Sequence, residues 1–243
     1  MKTITSFISF ILSFLIIPIT QAASLDLIPY LLTKNNCITL ENIHYYTCYS
    51  VKDRIPYWSL HELKRNQVTG QRERTNDYRR DNRIAIPVEA SAYRLSGFDR
   101  GHMVPAADMR LDLESMSDTF FMTNMTPQRP EFNRGIWRVL ENKIRKDFLS
   151  TGQAGAVFVY TGIIEQENLP TLDSSVVIPE FLYKIIYNQK LHTIRSYLIS
   201  NHRYSSSELE SFRVTVDEIE SKSGIDFFSF LNKVQEDELE QRI

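Results

Sequence analysis

The sequence predicts an α+β fold, with a mixed, largely antiparallel central sheet flanked by helices. Short runs rich in β-branched and aromatic residues recur along the chain, and two of them, residues 181–187 and 192–199, are separated only by a tight turn near Asn188, Gln189 and Lys190, the spacing of a hairpin. Between such runs, Ile136, Trp137, Leu140, Ile144 and Phe148 recur at three- and four-residue intervals, which gives one apolar helical face. With 42% hydrophobic and 12% aromatic residues among 243, the chain holds enough apolar side chains for one sizeable core and is not of disordered composition.

Taken in order, Lys2 precedes an apolar run over residues 7–19 and then Thr20-Gln21-Ala22, the pattern of a secretory signal cleaved after Ala22 or Ala23. Ser9, Ser13 and Pro18 interrupt the run, which is shorter than the roughly 20 residues of a membrane span. Residues 23–243 are then a single exported domain with no stable membrane association. Residues 25–32 form a short helix or a packed arm, and residues 38–40, 45–51 and 55–63 form strands. Cys37 and Cys48 are the only cysteines. A hairpin would bring them together, and in an oxidising compartment a disulfide follows, secreted or periplasmic.

Residues 69–86 are polar, carry Arg72, Arg74, Arg79, Arg80 and Arg83 without periodicity, and predict a surface loop. His102 falls at the end of a strand, residues 116–121 close a short helix, and residues 121–125 form a buried strand leading into a Thr126-Pro127 turn. Asn133 opens the amphipathic helix. Its eight-residue separation from Glu141 leaves the two about 80° apart around the axis, able to face one side; Glu141 is also four residues from Arg145, as a simple surface pair would be. Residues 156–162 form another strand. Asp217 caps a helix ending at Gly224, residues 225–231 pack on the sheet, and the charged residues 235–243 fray.

Net charge is only −2, so a global attraction to polyanions is excluded. Its distribution is uneven. Residues 52–83 hold 9 basic and 5 acidic side chains, residues 129–146 hold 6 and 2, and residues 208–242 reverse to 4 and 10. Basic side chains thus flank Asp99-Arg100-Gly101-His102 on both sides, as local grip on a phosphate backbone requires.

That four-residue stretch brackets a glycine with a carboxylate that can brace, a guanidinium that can fork onto phosphate and an imidazole that can take a proton. Gly101 permits a bend that would aim Arg100 and His102 at one substrate. Downstream come Phe120-Phe121-Met122-Thr123-Asn124-Met125-Thr126-Pro127-Gln128 and Phe132-Asn133-Arg134-Gly135-Ile136-Trp137. In order and spacing these blocks resemble the DNA/RNA non-specific endonucleases, most strongly over residues 74–231. The resemblance implies a ββα-metal core and a Mg²⁺-dependent endonuclease, with Mn²⁺ as an alternative ion. It further implies His102 as general base, Asn133 as the metal ligand, Glu141 holding a metal-bound water, and Arg74 and Arg100 facing the scissile phosphate. Spacing alone does not separate Arg74 from Arg72 and Arg79. Asn124 would position the histidine or the metal waters, and the products would carry a 5′ phosphate. The substrate partner is nucleic acid, DNA first and RNA as a second candidate; monomer and homodimer both stay open. Two other readings compete: a secreted nucleic-acid-binding module without catalysis, and a metal phosphodiesterase for small substrates.

Overall fold

The computed structural model describes residues 31–32, 34, 36–151, 156–173 and 175–241. The signal segment and most of the 25–32 arm lie outside the described residues. Among the described residues there are eleven strands: β1 (Ile38–Glu41), β2 (Tyr45–Ser50), β3 (Ile55–Leu63), β4 (Asp99–His102), β5 (Met125–Gln128), β6 (Val157–Ile163), β7 (Thr171–Leu172), β8 (Val176–Val177), β9 (Phe181–Asn188), β10 (Thr193–Ser200) and β11 (Arg213–Val214). Seven form one antiparallel sheet in the order β1-β2-β3-β6-β9-β10-β11, while β4 pairs with β5 and β7 with β8. The α-helices are α1 (Arg65–Val68), α2 (Leu113–Asp118), α3 (Arg138–Ser150), α4 (Val216–Ser223) and α5 (Lys233–Glu240). Among the described residues, no helix is long and apolar enough to cross a membrane. Cys37 and Cys48 are joined in a disulfide, across the β1-β2 hairpin.

Strands β3, β6 and β9 are buried on both faces, yet the two faces differ in polarity. One face is aromatic. Tyr160 and Tyr183 meet Phe227 edge-on, with ring centroids 5.8 and 5.5 Å apart, and Tyr187 meets Phe228 at 5.1 Å. Because successive residues of a strand point to opposite faces, Ser59, His61, Thr161 and Lys184 lie on the other face. There Lys184 Nζ donates to Thr161 Oγ1 at 2.7 Å and sits 4.9 Å from the Trp137 ring centre. A sheet face carrying this much polarity underlies the ββα unit.

Several sequence expectations are corrected here. The short helix is Leu113–Asp118, capped by Asp112, whose side chain accepts from Ser115 N; it ends before residues 119–121. The buried strand begins at Met125 and contains Thr126 and Pro127, since Pro127 pairs with Arg100 on the edge of a two-stranded ribbon where a missing N–H costs little. Met122–Asn124 form a tight helical turn instead. Thr215, not Asp217, caps α4, which does end at Gly224 in the left-handed conformation (φ 65°). The charged tail is helical rather than frayed through Glu240: Asn232 caps α5, whose Leu239 is buried.

Candidate active site

β4, β5 and α3 form a ββα unit, entered through a wide helical turn at Phe132–Trp137 with non-helical dihedrals at Gly135 (φ −98°, ψ −116°). Ile136, Trp137, Leu140, Ile144 and Phe148 are all buried in the core, so the apolar face anchors the helix and turns its polar side outward. A cleft of about 980 Å³ opens over this unit. His102, Asn133, Glu141, Arg74 and Arg100 all line it. Asn124 does not.

His102 ends β4, opposite Met125. Its ring stands edge-on to Phe120 at 4.9 Å and to Tyr78 at 5.9 Å. Burial, and next the positive charge of Arg74, push its pKa down to about 3, against a hydrogen bond to the Arg100 backbone. The imidazole is therefore neutral across the physiological range, where a free histidine would titrate near 6.5. Its Nε2 is buried without a hydrogen-bond partner among the described residues.

Gly101 does not supply a bend. It is extended within β4, and a Cβ there would lie 2.1 Å from the Gln128 side chain. The glycine is needed for close approach of the β5 side chain.

Asn124 is fully buried. Its Oδ1 accepts from Val104 N at 3.0 Å, and its Nδ2 donates to the carbonyls of Val104 (3.0 Å) and Thr119 (2.9 Å). With its own carbonyl accepting from Met103 N at 3.0 Å, it clamps the backbone that follows His102. Positioning the histidine through the main chain is compatible with this placement. Contact with metal waters is not, because the amide is spent on backbone groups outside the cleft.

Asp99 braces Asn133. Asn133 Nδ2 donates to Asp99 Oδ2 at 2.9 Å, while Arg134 forks onto the same carboxylate through Nε (2.8 Å) and Nη2 (2.5 Å). Burial raises the Asp99 pKa, but the bonds from Arg134 and Asn133 outweigh it and hold the carboxyl below its usual value. With its nitrogen committed to Asp99, Asn133 presents its carboxamide oxygen to the cleft. The amide orientation follows from this hydrogen-bond assignment.

Glu141 does not pair with Arg145 as a surface couple. Arg145 Nη1 donates instead to Asp108 Oδ1 at 2.7 Å, and Asp108 Oδ2 meets the buried His61 Nε2 at 3.0 Å. Burial raises the Glu141 pKa, opposed by the charges of Lys184 and Arg145. Burial likewise lowers Lys184 to about 8, opposed by Glu141 and Asp108. Glu141 is thus a partly desolvated carboxylate above a buried string of alternating charge. A neutral amide and a carboxylate on one cleft are oxygen donors that fit a hard, hydrated divalent cation, and the imidazole of His102 stands beside them as a base and not as a ligand.

Arg74 stacks over Phe120 at 4.7 Å and donates to Tyr78 Oη at 3.1 Å. Arg100 lies 4.4 Å from the Tyr78 ring centre and donates to the Ala90 carbonyl at 2.9 Å. Arg79 faces elsewhere, bonded to Asp77 and the Ser117 carbonyl at 2.9 and 2.6 Å. Of the three loop arginines that spacing could not separate, only Arg74 lines the cleft. Tyr78, which takes a hydrogen bond from Arg74 and stacks under Arg100, has no role in the sequence reading, nor do Asp108 and Lys184, and Arg145 enters it only as a surface partner of Glu141. Nothing in residue spacing signals an aromatic that two arginines share, or a lysine facing inward from a sheet.

The chain matches the DNA/RNA non-specific endonuclease family over residues 27–234. It is 28% identical over 232 residues to a nuclease from Nostoc sp., covering 88% of this chain and 81% of that protein. It is 29% identical over 204 residues to human mitochondrial endonuclease G, covering 75% and 67%. Among solved structures, the crystal structure of the EndoG/EndoGI complex superposes with a TM-score of 0.73 at 26% identity, covering 81% of this chain and 88% of that one. Motif, ββα geometry and relatives agree, and the chain belongs to the DNA/RNA non-specific endonuclease family, the phosphodiester-cleaving nucleases.

Proposed function

We propose that this nuclease is an exported endonuclease that hydrolyses DNA, with RNA as a second candidate substrate, using His102 as general base and one Mg²⁺, replaceable by Mn²⁺, held at Asn133. The observation that carries the reading is the pairing of a neutral, unpartnered imidazole with a carboxamide whose nitrogen is tied back by Asp99, both on one cleft. Asn133 Oδ1 would ligate the ion, and Glu141 would hold one of its waters. Bound Mg²⁺ supplies Lewis-acid neutralisation of the charge that grows on the phosphoryl and leaving 3′ oxygens.

The chain's own groups do the rest. His102 takes a proton from the attacking water as the new P–O bond forms, the P–O3′ bond breaks, and the 3′ oxygen leaves with the bonding pair and takes a proton from solvent water, giving a 5′ phosphate and a 3′ hydroxyl, while His102 returns its proton to solvent. Arg74 and Arg100, fixed by stacking on Phe120 and Tyr78, are arranged to meet the phosphate with little further ordering. Export after cleavage at Ala22 or Ala23 is supported by the Cys37–Cys48 disulfide; N-terminal sequencing of the mature protein tests it.

The test of the chemistry is an assay on duplex DNA, single strands, RNA and a small phosphodiester, in Mg²⁺ or EDTA. His102→Ala should lower turnover by about 10² to 10⁴ fold, or ~3 to 5 kcal/mol of barrier, with duplex binding retained. Near-full activity in that variant, or wild-type cleavage undiminished by EDTA, would refute the assignment.

A further inference from the structure

The loop that forms one wall of the cleft ends in an apolar side chain with nothing to pack on. Leu95 is 96% exposed, more than any other large hydrophobic residue described, and its backbone is left-handed (φ 58°). Leucine adopts that conformation at a cost that glycine or asparagine would avoid. Two unfavourable choices, strain and a wetted isobutyl group, coincide at one residue.

The loop around it is firmly built. Arg94 N donates to the Ser91 carbonyl at 2.9 Å, Ser96 Oγ donates to the Tyr93 carbonyl at 2.8 Å, and Phe98 N donates to Ser96 Oγ at 3.1 Å. Tyr93 is buried below, and Arg100 ties Ala90 to β4. Leu95 is therefore displayed on a rigid mount beside Arg94, on the same cleft as His102, Arg100 and Arg134.

We propose that Leu95 is a wedge for duplex nucleic acid: it enters the minor groove of a duplex lying in the cleft and presses between stacked base pairs while the neighbouring arginines grip the backbone. The inference rests on the nuclease reading and adds what part of the substrate, besides phosphate, is recognised. Apolar wedges unstack a base step, and pyrimidine–purine steps open most easily. The wedge thus biases a nominally non-specific enzyme toward cutting beside TA and CA/TG steps. It adds nothing on a substrate without stacked bases.

The test compares wild type with Leu95→Ala, Leu95→Asn and Leu95→Met on an end-labelled duplex of defined sequence and on bis(p-nitrophenyl) phosphate. A duplex carrying 2-aminopurine at a TA step reports binding, with every protein in a His102→Ala background. Leu95→Ala and Leu95→Asn should lose about tenfold in kcat/KM on the duplex and flatten its cleavage pattern, with the small diester unchanged. Leu95→Met should behave as wild type. In the binding arm, 2-aminopurine should brighten only where a long apolar side chain stands at this position, that is, with Leu95 itself and with L95M. The proposal is overturned if L95A and L95N keep the wild-type pattern and duplex rate. It is equally overturned if L95N alone keeps them, since asparagine suits the left-handed backbone and the role would then be the loop's shape, or if all substrates fall together. Because the fluorescence arm needs no cleavage, brightening that depends on Leu95 would sustain the wedge even if the catalytic reading failed.

Discussion

At the scale of single residues, burial governs the proton affinity of one ring. The unfolded chain protonates His102 near pH 6.5, whereas burial and Arg74 hold the folded group to about 3. A depressed folded pKa stabilises the fold fully above the unfolded value, and that contribution is lost as pH falls from about 6.5 toward 3. In metal-free buffer, urea titrations at pH 7 and pH 4 should show His102→Ala losing less stability than wild type, by on the order of 3 kcal/mol. Equal losses would mean that the ring is not withheld from protons. Asn133→Ala should leave the fold intact and shift the Mg²⁺ titration to higher concentration; an unchanged titration would remove Asn133 as a ligand. Leu95→Asn should raise Tm by ~2 to 4 °C, because about 1 kcal/mol of backbone strain is released. How far such residues were legible in the sequence depended on whether their partners were local. His102, Arg100, Asn133 and Glu141 all reach one cleft from the two sequence blocks that carry the family resemblance, and Arg74 joins them from the loop before, although the kink at Gly135 breaks the regular helical period assumed between Asn133 and Glu141. Tyr78, Lys184 and Asp108 did not announce themselves, since their roles arise from contacts between segments far apart in the chain. Of the two roles expected for Asn124, holding the backbone behind His102 is compatible with its contacts and touching the metal waters is not.

Among the elements, strands declared themselves best: β1, β2, β3, β6, β9 and β10 all fall where alternation and β-branched content put them. The misplacements occurred where two local signals competed. Asp112 starts the short helix earlier than residues 116–121 suggest, Thr215 takes the capping role expected of Asp217, and Thr126-Pro127, expected as a turn, lie in a strand because the edge of a ribbon tolerates proline. The charged α5 was hidden because its amphipathicity is shallow, and only Asn232 betrayed its start. The β4-β5 ribbon itself depends on a missing side chain. Gly101→Ala would drive a methyl group into Gln128, and should cost ~1 to 3 kcal/mol as overpacking, with activity falling faster than stability because His102 is the next residue. Chemical denaturation beside a turnover assay checks this, and an alanine variant with both unchanged would show that Gln128 simply moves aside.

For the molecule as a whole, charge is sorted rather than abundant. Six arginines, at 74, 94, 100, 134, 138 and 145, line the cleft against only Asp99 and Glu141, while the acidic excess is carried by the segment bearing α4 and α5. Duplex association should therefore weaken steeply with salt even though the net charge is −2, and a flat salt profile would argue against the cleft as the groove. The wide turn at Phe132–Trp137 sets a further condition on how such a chain can change by insertion and deletion. Removing one residue there would turn the segment ahead of the Gly135 kink about the α3 axis by about 100° and swing Asn133 away from the Asp99 carboxylate that now holds its amide. A lineage that shortened this turn would lose that brace, so the irregularity is part of how the amide's alignment is inherited.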